Sequence, residues 1–214
     1  MIMQHDNYYL WRKAKNEIFK GLFLLTVVIS LLALAALLGG ILYKGLSTLN
    51  WTFLTSYPSR FASKAGIIAA LSGTFAFISI AAPLSFIIGV ASAVYLEEYA
   101  PNNWVTRLLQ LNISNLAGVP SIVYGMLGLV LFVRGMDLGR SVLAGALTMT
   151  LLVLPVVIVA SQEAIKSVPV ALRHASLALG ATITQTVFRV VLPVAMPGIL
   201  TGTILAVSRA IGET

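Results

Sequence analysis

The chain contains no cysteine, only two histidines, His5 and His174, and seven acidic residues against fourteen basic ones. The absence of cysteine excludes a disulfide framework and a thiolate metal site, and says little about compartment. Both histidines lie outside the apolar runs, and no nucleophile stands beside a base or a cluster of metal ligands, which disfavours a membrane enzyme. No Gly-x-x-x-x-Gly-Lys-Ser/Thr run is present, so the chain has no nucleotide-binding machinery of that type. Charge of either sign is scarcest of all. Charged residues make up 10% of the chain and apolar ones 58%, too few polar groups for a water-exposed surface. The net charge of +7 is scattered between apolar runs, which fits membrane topology better than nucleic-acid binding.

What fills the gaps between charges is long and apolar. A hydrocarbon core of roughly 30 Å needs about 20 residues of helix. Lys20 and Lys44 enclose 23 uncharged residues, Lys64 and Glu97 enclose 32, and Arg107 and Arg134 enclose 26. Arg140 to Glu163 adds a window of 22, and Arg189 to Arg209 one of 19. These runs are continuously apolar, not alternating, so an all-α polytopic membrane protein with five spans is expected, not a barrel. The first run is too long for a signal peptide and leads to Lys44-Gly45-Leu46 without a cleavage signature, so it reads as a retained span.

Arg12, Lys13, Lys15 and Lys20 precede that span and place the N-terminus in the cytoplasm by the positive-inside rule. The outer loop from about 44 to 64 then carries Trp51, Tyr57 and Pro58, which suit an interface. Pro83 removes a backbone hydrogen bond inside the second span and predicts a bend. Glu97, Glu98 and Tyr99 mark that span's cytoplasmic end. Pro101-Asn102-Asn103 makes a turn, followed by a short helix carrying Trp104, Leu108 and Leu111. Asn112, Ser114, Asn115, Gly118, Pro120, Ser121 and Tyr124 make the third span polar for a lipid-facing helix. They either line a path or bind helices together. Residues 1–65 form an N-terminal segment, first span and loop, and residues 66–214 a second region.

The connection from Ser161 to Pro193 has its own helical pattern. Ser167 is placed to cap a helix that starts near Pro169. Leu172, Ala175 and Leu179 recur at helical spacing, and Gly180 is a natural left-handed terminator. Thr182 is placed to cap a second helix with Ile183, Val187, Val190 and Val191 on its apolar face, which Pro193 stops. Periodicity alone leaves two readings, an amphipathic loop resting on lipid or a surface gripped by a partner.

The residues His174-Ala175-Ser176, three more, Gly180, nine more, then Val190-Val191-Leu192-Pro193 resemble the signature loop of permease subunits of binding-protein-dependent ABC importers. The family pattern has Glu-Ala-Ala where this chain has His174, Ala175 and Ser176, and Ile where it has Val190. Further segments, 117–125, 175–182 and 209–214, are similar to the permeases of phosphate-specific importers, the A-type subunit most of all. The resemblance runs from about Gly66 to Thr214 and implies a type I ABC importer transmembrane domain. It implies a multi-pass location in a bacterial or archaeal cell membrane and a coupling loop comprising His174, Ala175, Ser176, Gly180, Val190, Leu192 and Pro193. A side chain at Gly180 is expected both to forbid the turn and to block close approach. The implied partners are an ABC ATPase dimer that uses ATP and Mg, a second homologous permease, an extracytoplasmic phosphate-binding protein and lipid. This chain itself is expected to bind no cofactor. Such permeases usually have six spans, so a chain ending at Thr214, inside the fifth, is expected to be truncated.

Arg209 and Glu213 lie four residues apart on one helix face, where they can pair. Arg209 is 12 residues past Pro197, roughly 18 Å along the helix, at membrane depth. Charges there either pair to hold helices together or line a path. The resemblance implies the second, with a guanidinium fork for phosphate oxygens and a carboxylate to accept the proton that hydrogen phosphate carries. Arg134 and Arg140 read as solvated loop charges, or as attractors of anions or of a binding protein. Two other functions remain open. One is the same architecture importing sulfate, molybdate or phosphonate; the other is a secondary transporter, for which Glu213 is the single acidic residue placed within a predicted span.

Overall fold

The computed structural model describes residues 3–46, 48–61 and 64–213, and is helical almost throughout. Two units are distinguished, Met1–Ala69 and Ala70–Thr214. In the first, α1 (Met3–Gly45) supplies a candidate span over Tyr8–Gly45 whose residues are exposed from Tyr8 to Lys44. Such a helix has no core to enter within its own unit, and lipid or a partner supplies its apolar surroundings. The expected loop after it contains a short helix, α2 (Trp51–Thr55), capped by the Asn50 side chain, which accepts from Phe53 N–H at 2.8 Å. The chain then folds back, with Ile67 N–H donating to the Phe53 carbonyl at 2.9 Å.

In the second unit, α3 (Ile68–Val94) continues without a break through Pro83 and ends in a π-helical turn, Tyr95–Tyr99. Next comes α4 (Trp104–Leu116), capped by Asn103, and then α5 (Ser121–Gly128), extended by a π-helical segment over Leu129–Gly135. The third apolar window is a bent pair of helices. Asn112, Ser114 and Asn115 belong to α4, and α4 and the α5 segment meet at a bend of 104°. Gly118 and Val119 close a tight turn onto the Asn115 and Leu116 carbonyls, and Pro120 has no N–H to continue the helix. The buried Tyr124 hydroxyl reaches back to the Leu116 carbonyl at 2.8 Å and ties the two arms together.

The remaining elements are α6 (Val142–Lys166), α7 (Val170–Ala178), α8 (Ile183–Thr186) and α9 (Leu192–Glu213). Helix α6 is central. Its Ile158 and Ile165 join Val90, Ala93 and Leu96 of α3 and its π turn, and Ala195 and Ile199 of α9, in one apolar cluster. Its Val153 and Val157 meet Ala206 and Ala210 in another. A methyl group built on Gly202 would lie 2.5 Å from the Ala160 Cβ, and one on Gly198 2.9 Å from the Ala164 Cβ. Gly-x-x-x-Gly on α9 thus faces Ala-x-x-x-Ala on α6, the small-residue packing by which helices approach closely where lipid removes most of the hydrophobic drive. The architecture is an all-α polytopic membrane fold with four candidate spans among the described residues, or five if the bent α4–α5 pair is one.

Candidate functional site

The loop around Gly180 is an elbow of two helices. Helix α7 starts after Pro169, whose extended backbone (ψ 131°) sets its direction. Ser167 does not cap α7. It closes α6, its hydroxyl donating to the Ala164 carbonyl at 2.7 Å, because two intervening residues already separate it from the new helix. At the other end, Gly180 holds φ +85°, its N–H donates to Leu177 and the Ala181 N–H to Ser176. That pair of bonds is a complete left-handed helix terminus and satisfies carbonyls that α7 would otherwise leave open. Nothing lies within 4 Å of where a Cβ on Gly180 would stand. The crowding expected at this glycine therefore does not come from the described residues of the chain.

Past the elbow, Thr182 and Gln185 form a reciprocal capping box that starts α8. Pro193 was expected to stop this helix, and the structure corrects that. The chain passes through a π turn, Val187–Val191, straight into α9, giving one candidate span over Ile183–Glu213. The Leu192 N–H donates to Val187, five residues back, and Pro193 then occupies the first turn of α9, where a missing N–H does no harm. Of the predicted loop residues, His174, Ala175 and Pro193 are exposed, while Val190 and Leu192 are part-buried. Ser176, which stands where the family pattern has alanine, is part-buried and its hydroxyl lies 2.9 Å from the Thr186 hydroxyl, joining the two arms. At the tip, Leu179 is 90% exposed.

Sequence reasoning missed the polar network that anchors this loop. Arg173 of α7 pairs with Glu98 in the π turn after α3 and donates to the Ile165 carbonyl of α6 at 2.9 Å. Next to it, Gln162 donates to Glu97 at 2.8 Å, and Lys166 lies 3.5 Å from Glu97 and 3.2 Å from Glu163. The π turn offers Glu97 and Glu98 in succession to α6 and α7, because a wider turn reduces the angle between neighbouring side chains. Scarcity of charge was the available signal, but the partners are 65 and 75 residues apart in the chain.

Arg209 and Glu213 sit near the end of α9, on the last described turns, and both are exposed. They form no ion pair among the described residues. Ala206 and Ala210 turn the same helix inward against α6, which leaves the two charged side chains on surface that this unit does not cover. Thr214 lies outside the described residues. Among the described residues, no group of three or more His, Asp or Glu side chains is placed to hold a metal ion.

Comparison with known proteins agrees with this architecture. The model of the family described as binding-protein-dependent transport system inner membrane component matches residues 85–214. The chain is similar to the probable ABC transporter permease protein YqgI of Bacillus subtilis (strain 168), 39% identical over 202 residues, 94% of this chain and 69% of that protein. It is 36% identical over 211 residues to the phosphate transport system permease protein PstA 1 of Mycobacterium tuberculosis (strain ATCC 25618 / H37Rv), covering 96% of this chain and 68% of the relative. Among solved structures, an inward-facing MetNI methionine ABC transporter aligns with a TM-score of 0.61 and 22% identity over 69% of this chain and 70% of the other, a likeness of fold alone.

Proposed function

Because the chain belongs to the binding-protein-dependent transport system inner membrane component family, we propose that it is the A-type permease subunit of an ATP-driven importer that moves inorganic phosphate across a bacterial cell membrane. It is a multi-pass component of a multi-subunit ABC transporter, and a transport permease without catalytic apparatus. The observation that carries the functional reading is the elbow around Gly180. It presents His174, Ala175 and the protruding Leu179 outward, while Arg173 ties its base to α3 and α6. An exposed apolar tip on a braced base suits a partner that must both dock and push. The partner is an ATPase dimer that uses ATP and Mg, on the cytoplasmic face.

Arg209 and Glu213 line the phosphate route where α9 meets the second, homologous permease. A guanidinium offers a planar fork to phosphate oxygens, and a nearby carboxylate accepts a hydrogen bond from hydrogen phosphate while keeping the site weak enough to release the anion. An extracytoplasmic phosphate-binding protein delivers the anion from the other side.

The test is reconstitution of the assembled transporter in liposomes, with uptake of phosphate and of sulfate measured with and without ATP. Phosphate uptake is expected to need ATP and to be lost in Arg209→Gln with assembly intact. Uptake that persists without any ATPase would overturn the reading in favour of a gradient-driven carrier. Stronger stimulation of the ATPase by sulfate, molybdate or phosphonate than by phosphate would reassign the anion.

A further inference from the structure

Helix α7 has no fully buried residue. Every one of its residues is at least part-exposed, including Val170, Leu172 and Leu177. Among the described residues, its side-chain bonds to other elements are polar. Arg173 reaches the Glu98 carboxylate on the π turn that ends α3 and the Ile165 carbonyl on α6, while Ser176 meets Thr186 across the elbow. The Glu98 and Arg173 side chains are only 10% and 22% exposed, whereas the nearby Lys166–Glu163 pair is 51% and 69% exposed. Attraction between charges is weak where water screens them and strong where water is excluded, and removing one partner of a desolvated pair leaves the other without compensation.

The connectivity gives this pair a mechanical meaning. Helix α7 is joined through the backbone to α6 on one side and, through α8, to α9 on the other. Residues 98 and 173 are 75 apart in the chain, so the ion pair is a direct bond from the elbow to α3. Without it, a force on the elbow acts on α6 and α9 and reaches α3 only indirectly, through side-chain packing and the contacts of Gln162 and Lys166 on α6 with Glu97. With it, three helices move together.

Resting on the coupling role assigned to the elbow, we propose that Arg173 and Glu98 are positioning residues for transport, a latch that makes α3 follow the docked helix. The face offered to the ATPase and the link to the spans are then separate. His174 stays outward for the partner, and the residue before it points back into the permease. A carboxylate at 174 is therefore not needed for transmission within the permease.

The experiment compares the assembled transporter carrying Arg173→Gln, Glu98→Gln, the exchanged pair Glu98→Arg with Arg173→Glu, and Arg173→Lys, reading phosphate moved per ATP hydrolysed. Each glutamine variant is expected to keep the ATPase bound and hydrolysing while the ratio falls at least about tenfold. The exchanged pair is expected to recover part of the ratio, and Arg173→Lys to fall between wild type and glutamine, since lysine keeps the charge and loses the fork. A ratio unchanged in Glu98→Gln overturns the latch, as does parallel loss of hydrolysis, transport and ATPase retention in all four variants, which marks a purely structural pair. Failure of the wild-type transporter to move phosphate with ATP overturns the functional reading itself, and so is told apart from failure of the latch.

Discussion

Gly180 adopts φ +85°, a region that costs a residue with a Cβ roughly 1–2 kcal/mol, yet the space around it is empty. Conformation and crowding therefore separate at this residue. Within the permease alone, Gly180→Ala and Gly180→Leu are expected to lower thermal stability in detergent by the same small amount, and Gly180→Asn by less, since asparagine tolerates this region. In the assembled transporter, leucine is expected to be far worse than alanine for ATP-driven uptake, because only the docked partner supplies a surface to collide with. Equal loss in the two variants would remove the partner from that position. The neighbouring Leu179, 90% exposed, tests the same face from the other direction. Burial of a leucine is worth about 1.5–3 kcal/mol, so Leu179→Asp is expected to weaken ATPase retention by at least tenfold on co-purification. The glycine was legible in the sequence because a left-handed terminator has a residue type. Arg173 had no such mark, since an arginine on a short amphipathic helix is usually solvated.

At the scale of elements, runs of apolar residues between charges located the helices, because crossing a bilayer leaves little alternative to a long uncharged segment. How those helices continue or break depends on local hydrogen bonding that composition does not encode. Pro83, Pro155 and Pro197 sit inside continuous helices, while the turn before Pro120 breaks one by 104°. Pro193, expected as a stop, is absorbed by a π turn that shifts the bonding ahead of it by one residue. Helix pairing was half legible. The spacing of Gly198 and Gly202 is a known signature of close approach, but the facing Ala160 and Ala164 emerge only in three dimensions. With 2.5 Å between the two methyl positions, Gly202→Ala overpacks this contact and is expected to cost about 1–3 kcal/mol. Adding Ala160→Gly should restore most of the loss in the unfolding transition, and equal instability of single and double variants would place the strain elsewhere.

The molecule leaves large apolar side chains uncovered along most of its helices, among them Phe23, Ile87, Ile122 and Leu205. Lipid covers most of such a surface at no cost in hydrogen bonds, but it does not solvate Arg209 and Glu213, which stand exposed at the end of α9. Two charges with no ion pair between them on one helix face need water, a second permease or an anion opposite them. The phosphate route proposed above would supply all three. On that proposal, Glu213 accepts a hydrogen bond from the proton that hydrogen phosphate carries, whereas sulfate at neutral pH has none to offer and brings its charge against the carboxylate. Binding sites built on a hydrogen bond from the ligand reject analogues that lack the donor far more strongly than sites built on shape. Replacing the carboxylate with an amide of the same size removes the repulsion and keeps the volume. Glu213→Gln is therefore expected to narrow the preference for phosphate over sulfate at least about tenfold, read as the ratio of the two anions' transport rates. Because the amide also takes a negative charge away from beside the bound anion, phosphate should be held longer and maximal uptake should fall even as half-saturation improves. A variant that transports both anions as the wild type does would take Glu213 out of the path and leave Arg209 to act alone.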